Sequence, residues 1–390
     1  MLINLRNALM AGKRLPYDAE IEFLESTGTQ WIDTGIVGDN TVTFTGLVYR
    51  TSNASNECAV GSLSASFTRC WLSYFYVGKY RLGYGRLYSD PTTAPIGEWL
   101  YQELKHESGN ANLYANGVVV ASVPIETFTT GLNMYIGAMN SAGSASYTFK
   151  GKIAGIQIYK SGVLVRDFIP VRKGTVGYLY DRVTRKLFGN AGTGDFVLGP
   201  DVVPVEWLGS GANTYINTGI IPDDTYGMEV TGYTTQTNDS AWIGTRNSSN
   251  QRCFMGYSPS LGFYYGWNGR QDIQYTTGVW STASMNLYNS RKNMMDGTEV
   301  GSIAETLGAQ NRAIYLFGLT ANGTLRLKLK SALITKGSDD VLKLVSVRVG
   351  TDATSWEGAM IDTLTRRIYR NAGTGAFTYG NDLKYPIPAE

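Results

Sequence analysis

The sequence predicts an all-β protein built from two tandem copies of one sandwich domain. Three observations carry that expectation: a long internal repeat, strand patterns of period two, and a composition rich in glycine and tyrosine. The chain has 390 residues, enough for two ordinary domains. It holds 46 Gly and 26 Tyr, with 43% hydrophobic and 17% charged residues, so each copy can build a core around Gly-rich turns.

The repeat is read directly. Ile21 to Ile36 reads IEFLESTGTQWIDTGI, and Val205 to Ile220 reads VEWLGSGANTYINTGI, an offset of 205 − 21 = 184. Further on, Arg69-Cys70-Trp71 answers Arg252-Cys253-Phe254, and Trp99 answers Trp280. Near the end, DRVTRKLFGNAGTG from Asp181 answers DTLTRRIYRNAGTG from Asp362, an offset of 362 − 181 = 181. A near-constant offset over that span marks two whole domains, too long for solenoid units. The boundary falls in GPDVVP, Gly199 to Pro204, whose two prolines suit a short linker. The expected organisation is a leader over 1–17, copies over 18–201 and 202–384, and a tail over 385–390.

Within the copies the strands alternate. Val42, Phe44 and Val48 oppose Thr41, Thr43 and Thr45; Leu325, Leu327 and Leu329 alternate with Arg326, Lys328 and Lys330; Ala154, Ile156 and Ile158 alternate with Gly155 and Gln157. Such segments read as half-buried antiparallel strands. Ala115-Asn116-Gly117 and Met295-Asp296-Gly297 read as two-residue hairpins of type I′. Many short strands at roughly 180 residues per copy suit a large two-sheet jelly roll better than a seven-stranded immunoglobulin domain.

The opening IEFLESTGTQWIDTGI and the closing YLYDRVTRKLFGNAGTGDF resemble the concanavalin A-like, laminin-G-like jelly-roll modules of gut bacteria and their phages or prophages. The resemblance covers both copies; its opening and closing motifs are fairly specific and the middle is not. It implies a lectin-like sandwich that binds carbohydrate or decorates a cell or virion surface. The leader MLINLRNALMAGKRLP is similar to the short leader of phage structural proteins carrying this module. The chain departs from calcium-binding lectins in lacking an acidic cluster suited to the ion. The expected role is therefore a non-catalytic virion accessory, such as a head fibre, capsid decoration or tail adhesin. A bacterial surface or secreted carbohydrate-binding protein is the alternative, and a glycoside hydrolase of the same fold the third.

Composition excludes several other classes. The first 200 residues carry 18 Lys+Arg and 15 Asp+Glu, and the rest 16 and 17, so neither half is the basic body of a nucleic-acid binder. Three cysteines, Cys58, Cys70 and Cys253, form no disulfide framework. The single histidine, His106, reads as a surface residue, and no Cys/His zinc spacing occurs. No cofactor or metal is expected. No run of 18 apolar residues spans a membrane, and Met1 to Arg14 makes a poor secretory signal because Asn4, Arg6 and Asn7 break it.

Each candidate residue also has an ordinary structural role. Asp18, Glu20 and Glu22 share a strand face, but only Glu22 recurs, as Glu206, and solvent-facing strand charges are the commoner meaning. Asp33 and Asn217 occupy one position, and Asp181 and Asp362 another; Asp and Asn interchange in turns but not in acid–base chemistry. Tyrosines crowd Tyr74 to Tyr88 and Tyr257 to Trp267. Strand packing is their commoner meaning, yet Tyr84, Tyr88, Tyr265 and Trp267 are the best sugar-stacking candidates because glycines mark nearby loops. Trp71/Phe254 and Trp99/Trp280 read as shared core positions. Arg326, Lys328 and Lys330, with Lys150 and Lys152 near the equivalent place, read as a solvated cationic strand face. Leu2, Leu5 and Leu9 line one side of a short helix that could anchor the protein to virion partners or to its own copies as a homo-oligomer.

Overall fold

The computed structural model describes residues 15–383 except 236–238, 248–251, 287–291, 308–309, 320–325 and 353. The leader anchor Leu2, Leu5 and Leu9 and the strand residue Leu325 lie outside the described residues. Among the described residues the elements are strands, and the chain divides into two compact units, with the main boundary in the sequence between Asp201 and Val202.

Each unit is a jelly-roll sandwich of a larger antiparallel sheet and a smaller sheet, wound alike; the smaller sheet of unit 1 includes one parallel pairing, of Met139–Ser141 with Asn56–Leu63. In unit 1 the larger sheet runs Val118–Pro124, Asn110–Ala115, Trp99–Glu107, Val42–Arg50, Lys150–Lys160, Val163–Lys173, Val176–Asp181, Lys186–Phe188. In unit 2 the same path runs Thr298–Ser302, Lys292–Met295, Trp280–Asn286, Tyr226–Thr234, Leu327–Lys336, Asp339–Gly350, Glu357–Asp362, Ile368–Arg370. The smaller sheets centre on Asn56–Leu63, Arg69–Tyr76 and Lys79–Gly85, and on Ser240–Arg246, Arg252–Ser258 and Gly262–Trp267.

Alternation sends one set of side chains from each sheet into a shared core. Val42, Phe44, Val48, Ile156 and Ile158 meet Leu72, Phe75, Leu82 and Tyr84 from the facing sheet. Unit 2 packs Val230, Leu327, Leu329 and Ile334 against Trp242, Met255, Tyr265 and Trp267. The three cysteines are buried thiols, and burial pushes each of them up.

Two strand expectations change in register. A bulge between Ile153 and Gly155 makes Ile153, rather than Ala154, the inward partner of Ile156. A matching irregularity opposite Thr231/Gly232 pushes Lys330 out beyond the inward Leu329. The segment read as a linker includes a strand, Asp201–Pro204.

The repeated motifs are turns held by side chains. Asn190 Oδ1 accepts from the Trp31 and Gly192 amides at 3.0 and 2.9 Å, while Nδ2 donates to Gly194 O at 2.6 Å. Asn371 repeats this with Tyr215, Gly373 and Gly375 at 3.0, 2.9 and 2.6 Å. Gly35 and Gly219 donate to Asp33 and Asn217 at 2.8 and 2.9 Å, so those two are turn caps. The hairpin pairs Asn116-Gly117 and Asp296-Gly297 have φ of 48° and 81°, and of 50° and 80°, as type I′ turns require.

Candidate functional site: an aromatic cage on the outer sheet face of each unit

The outward positions of the larger sheet build the same constellation twice. Tyr49 faces outward because it follows the inward Val48, and Trp99 lies directly opposite it on the next strand. Phe23 completes the group, 6.2 Å from Trp99, and Tyr49 meets Trp99 edge-on at 5.4 Å. Lys152, opposite Tyr49 on the other side, lays its ammonium over Phe23 at 4.3 Å and over Tyr49 at 5.1 Å. In unit 2, Tyr233 pairs with Trp280 and with Lys328, and its ring lies 5.4 Å from that of Trp280. Lys328 sits over Trp207 at 4.0 Å and over Tyr233 at 5.5 Å. Phe23/Trp207, Tyr49/Tyr233, Trp99/Trp280 and Lys152/Lys328 are thus one set of positions used twice, and all eight side chains are half-buried.

In unit 2 the neighbouring surface is concave. Glu206, Trp207, Trp280, Lys330 and Leu383 line a cleft of about 410 Å³. Lys330 lies over Trp280 at 4.2 Å, and the Glu206 carboxylate accepts from Asn381 Nδ2 at 3.3 Å. Flat rings beside a carboxylate and an ammonium can stack on the C–H face of a sugar and bond its hydroxyls.

This site differs from the expected one. Tyr84, Tyr265 and Trp267 are 0% exposed and belong to the two cores, so none offers a face to a ligand. Their polar tips are spent inside: Tyr84 donates to Val42 O at 2.8 Å, Tyr265 to Met294 O at 2.6 Å, and Trp267 to Asp224 Oδ1 at 3.1 Å. Burial pushes the Tyr84 and Tyr265 hydroxyls up. The glycines near them mark close sheet packing: a Cβ on Gly83 would meet the Trp71 ring at 2.4 Å. Tyr88, by contrast, is 53% exposed, with Arg81 and Arg69 over its ring at 4.8 and 5.3 Å. Arg81 also pairs with Asp90. Unit 2 rebuilds this trio with two members exchanged: Arg270 stands where Tyr88 does, lies over Tyr264 at 4.8 Å and pairs with Asp272 at 2.5 Å.

Other expectations shift too. Trp99 and Trp280 are outer-face residues, because the period-two pattern of their strands turns Leu100 and Ser281 inward instead. Trp71 and Phe254 are buried, and Trp71 packs with Cys58, Tyr74 and Met139 in a cluster separate from the unit 1 core. Lys328 and Lys330 lie on aromatic rings and are not simply solvated, while Arg326 is exposed with φ of 58°. Glu20 and Glu22 are 5% and 6% exposed, which removes them from the solvent-facing row. His106 is exposed and its Nε2 lies 2.9 Å from the Tyr84 hydroxyl. Sequence reasoning missed the cage because its members come from three separate strands and from the residue just before a fourth. The signal that could have found it was the recurrence of four outward positions at offsets of 181, 184 and 176.

No protein family and no curated protein matches the chain. Among solved structures, mouse laminin alpha1 chain domains LG4-5 are similar at 12% identity and a TM-score of 0.29, covering 96% of each chain. A Bacteroides ovatus protein described as carbohydrate-binding is similar at 13% identity and a TM-score of 0.35, covering 46% of this chain and 60% of that one. The NanB sialidase of Streptococcus pneumoniae is similar at 9% identity and a TM-score of 0.28, covering 93% of this chain and 76% of that one. Likeness at that level says nothing of what this chain binds.

Proposed function

We propose that the chain is a non-catalytic glycan-binding protein carrying two lectin-like domains for attachment to a surface. The observation that carries this reading is the twice-built outward cage, Phe23-Tyr49-Trp99-Lys152 and Trp207-Tyr233-Trp280-Lys328. Large aromatics on a solvent face contribute less to packing than core residues do, so keeping six of them at matching places favours a ligand. Stacking on one ring is worth about 1 kcal/mol, and two sites on one chain raise weak affinity by avidity. A binding role is favoured over hydrolysis because the cleft presents one carboxylate, Glu206, where glycoside hydrolysis ordinarily needs a pair. A virion accessory is the favoured setting and a bacterial envelope the second; both rest on the sequence resemblance. A glycan array tests the binding. The unmodified chain should give signals that the double variant W99A/W280A loses while its circular dichroism stays unchanged. Signals that survive both substitutions would overturn the reading.

A further inference from the structure

We infer that the two cages differ in ligand class: the unit 2 cage takes an acidic glycan, one bearing carboxylate or sulfate, and the unit 1 cage a neutral one. This rests on the glycan-binding reading of the cages. The aromatic frames match, so the difference lies in the charges set into them. In unit 1, Lys152 stands directly across the sheet from Glu25, and the side chains of both face outward. An opposite charge directly across a strand pair offsets the ammonium's field. In unit 2 the residue across from Lys328 is Gly209, which brings no carboxylate.

The second difference comes from the bulge. Both sheets carry an irregularity at the same point, which inserts one extra residue. In unit 2 that residue is Lys330, which is exposed, lays its ammonium over the Trp280 ring and lines the cleft; its unit 1 counterpart is Ala154, which is 1% exposed and carries no charge. Lys150 and Arg326 are both cationic at the preceding outward position and cancel in the comparison. Glu206 is the acid in the unit 2 cleft, held on one side by Asn381. Relative to unit 1, the unit 2 cage therefore has Glu206 in its cleft in place of Glu25 across from the lysine, and it gains Lys330 at its stacking tryptophan, a net gain of one positive charge. An ammonium beside a ring that already stacks on a sugar is placed to pair with an acidic substituent on that sugar.

The experiment uses the full chain on an array of neutral, uronate-bearing, sialylated and sulfated glycans. W99A leaves only the unit 2 cage intact, and W280A only the unit 1 cage. We expect the W99A chain to bind the acidic glycans and to lose about tenfold in affinity between 50 and 500 mM salt. The W280A chain should bind neutral glycans with little salt dependence. K330Q in the W99A background should weaken acidic binding about fivefold and leave the unfolding curve unchanged. Neutral glycans bound by the W99A chain as well as acidic ones, or acidic binding indifferent to K330Q, would overturn the inference and leave glycan binding standing. An unmodified chain that binds no glycan on the array would overturn both.

Discussion

The cores of the two units diverge where their outer faces agree. Unit 1 buries an ion pair between its sheets: Arg50 and Glu57 lie 3.1 Å apart with both side chains at 0% exposure. Arg50 also donates to Ala94 O at 3.1 Å and covers the Phe75 ring at 4.4 Å, while Ser52 donates to Glu57 at 2.6 Å. Unit 2 has Thr234 at the Arg50 position, and its largest fully buried side chains are Trp242 and Trp267. Leu82 and Tyr84 give way to Tyr265 and Trp267, by the pairing of their neighbours Gly83 and Gly266. Two different packings thus serve one fold, as expected where total volume and pattern matter more than identity. The outward Tyr49/Tyr233 and Trp99/Trp280 have no such packing demand and are nevertheless the same residues. That inversion is what supports the proposal that the outer cage binds a ligand.

The largest expected effect tests the core side of this contrast. Arg50→Ala leaves Glu57 buried without its partner and should cost unit 1 about 3–5 kcal/mol. Guanidinium unfolding should show the transition of unit 1 moving earlier and that of unit 2 unmoved. R50M/E57L should recover most of the loss, because an apolar pair refills the space. A tolerated R50A would mean that the two cores are interchangeable after all. Next come the motif asparagines. Asn190→Ala and Asn371→Ala should each cost about 1–3 kcal/mol in their own unit, through the orphaned Trp31 or Tyr215 amide. Unequal losses would show that the shared turn carries different weight in the two copies.

A smaller stability effect tests the outer face. Trp99→Ala and Trp280→Ala should each change stability by about 1 kcal/mol or less, since the rings are half-exposed, yet each should remove the glycan binding of its own unit. A loss as large as that of R50A would make these tryptophans structural. The smallest effect belongs to His106, which has no histidine counterpart in unit 2. Partial desolvation holds its pKa below the ordinary 6.5. A depressed histidine favours the neutral form on folding, so its contribution is present above pH 6.5 and is lost as pH falls through the lowered value. The unit 1 transition should therefore weaken slightly between pH 7 and 5, and H106Q should remove that dependence.

The sequence by itself determined the duplication, the all-β class, the type I′ hairpins at Asn116-Gly117 and Asp296-Gly297, and the turn role of Asp33 and Asn217. Each is a local matter, in which a φ preference or a side chain reaching two residues along the chain is enough. Only the tertiary structure decided which aromatics see solvent. Tyr84 and Trp267 sit beside glycines and read as loop residues, but those glycines admit a neighbouring ring and the two side chains turn inward. Trp99 and Trp280 read as core because tryptophan is large and apolar, but the parity of their strands, anchored by Leu100 and by the pairing with Tyr49 and Tyr233, turns them out. Side-chain facing in a sheet has a period of two, so one bulge or one residue of register reverses it. That parity is fixed by pairings across 50 residues of sequence at Tyr49 and Trp99 and 47 at Tyr233 and Trp280, where no local pattern reaches.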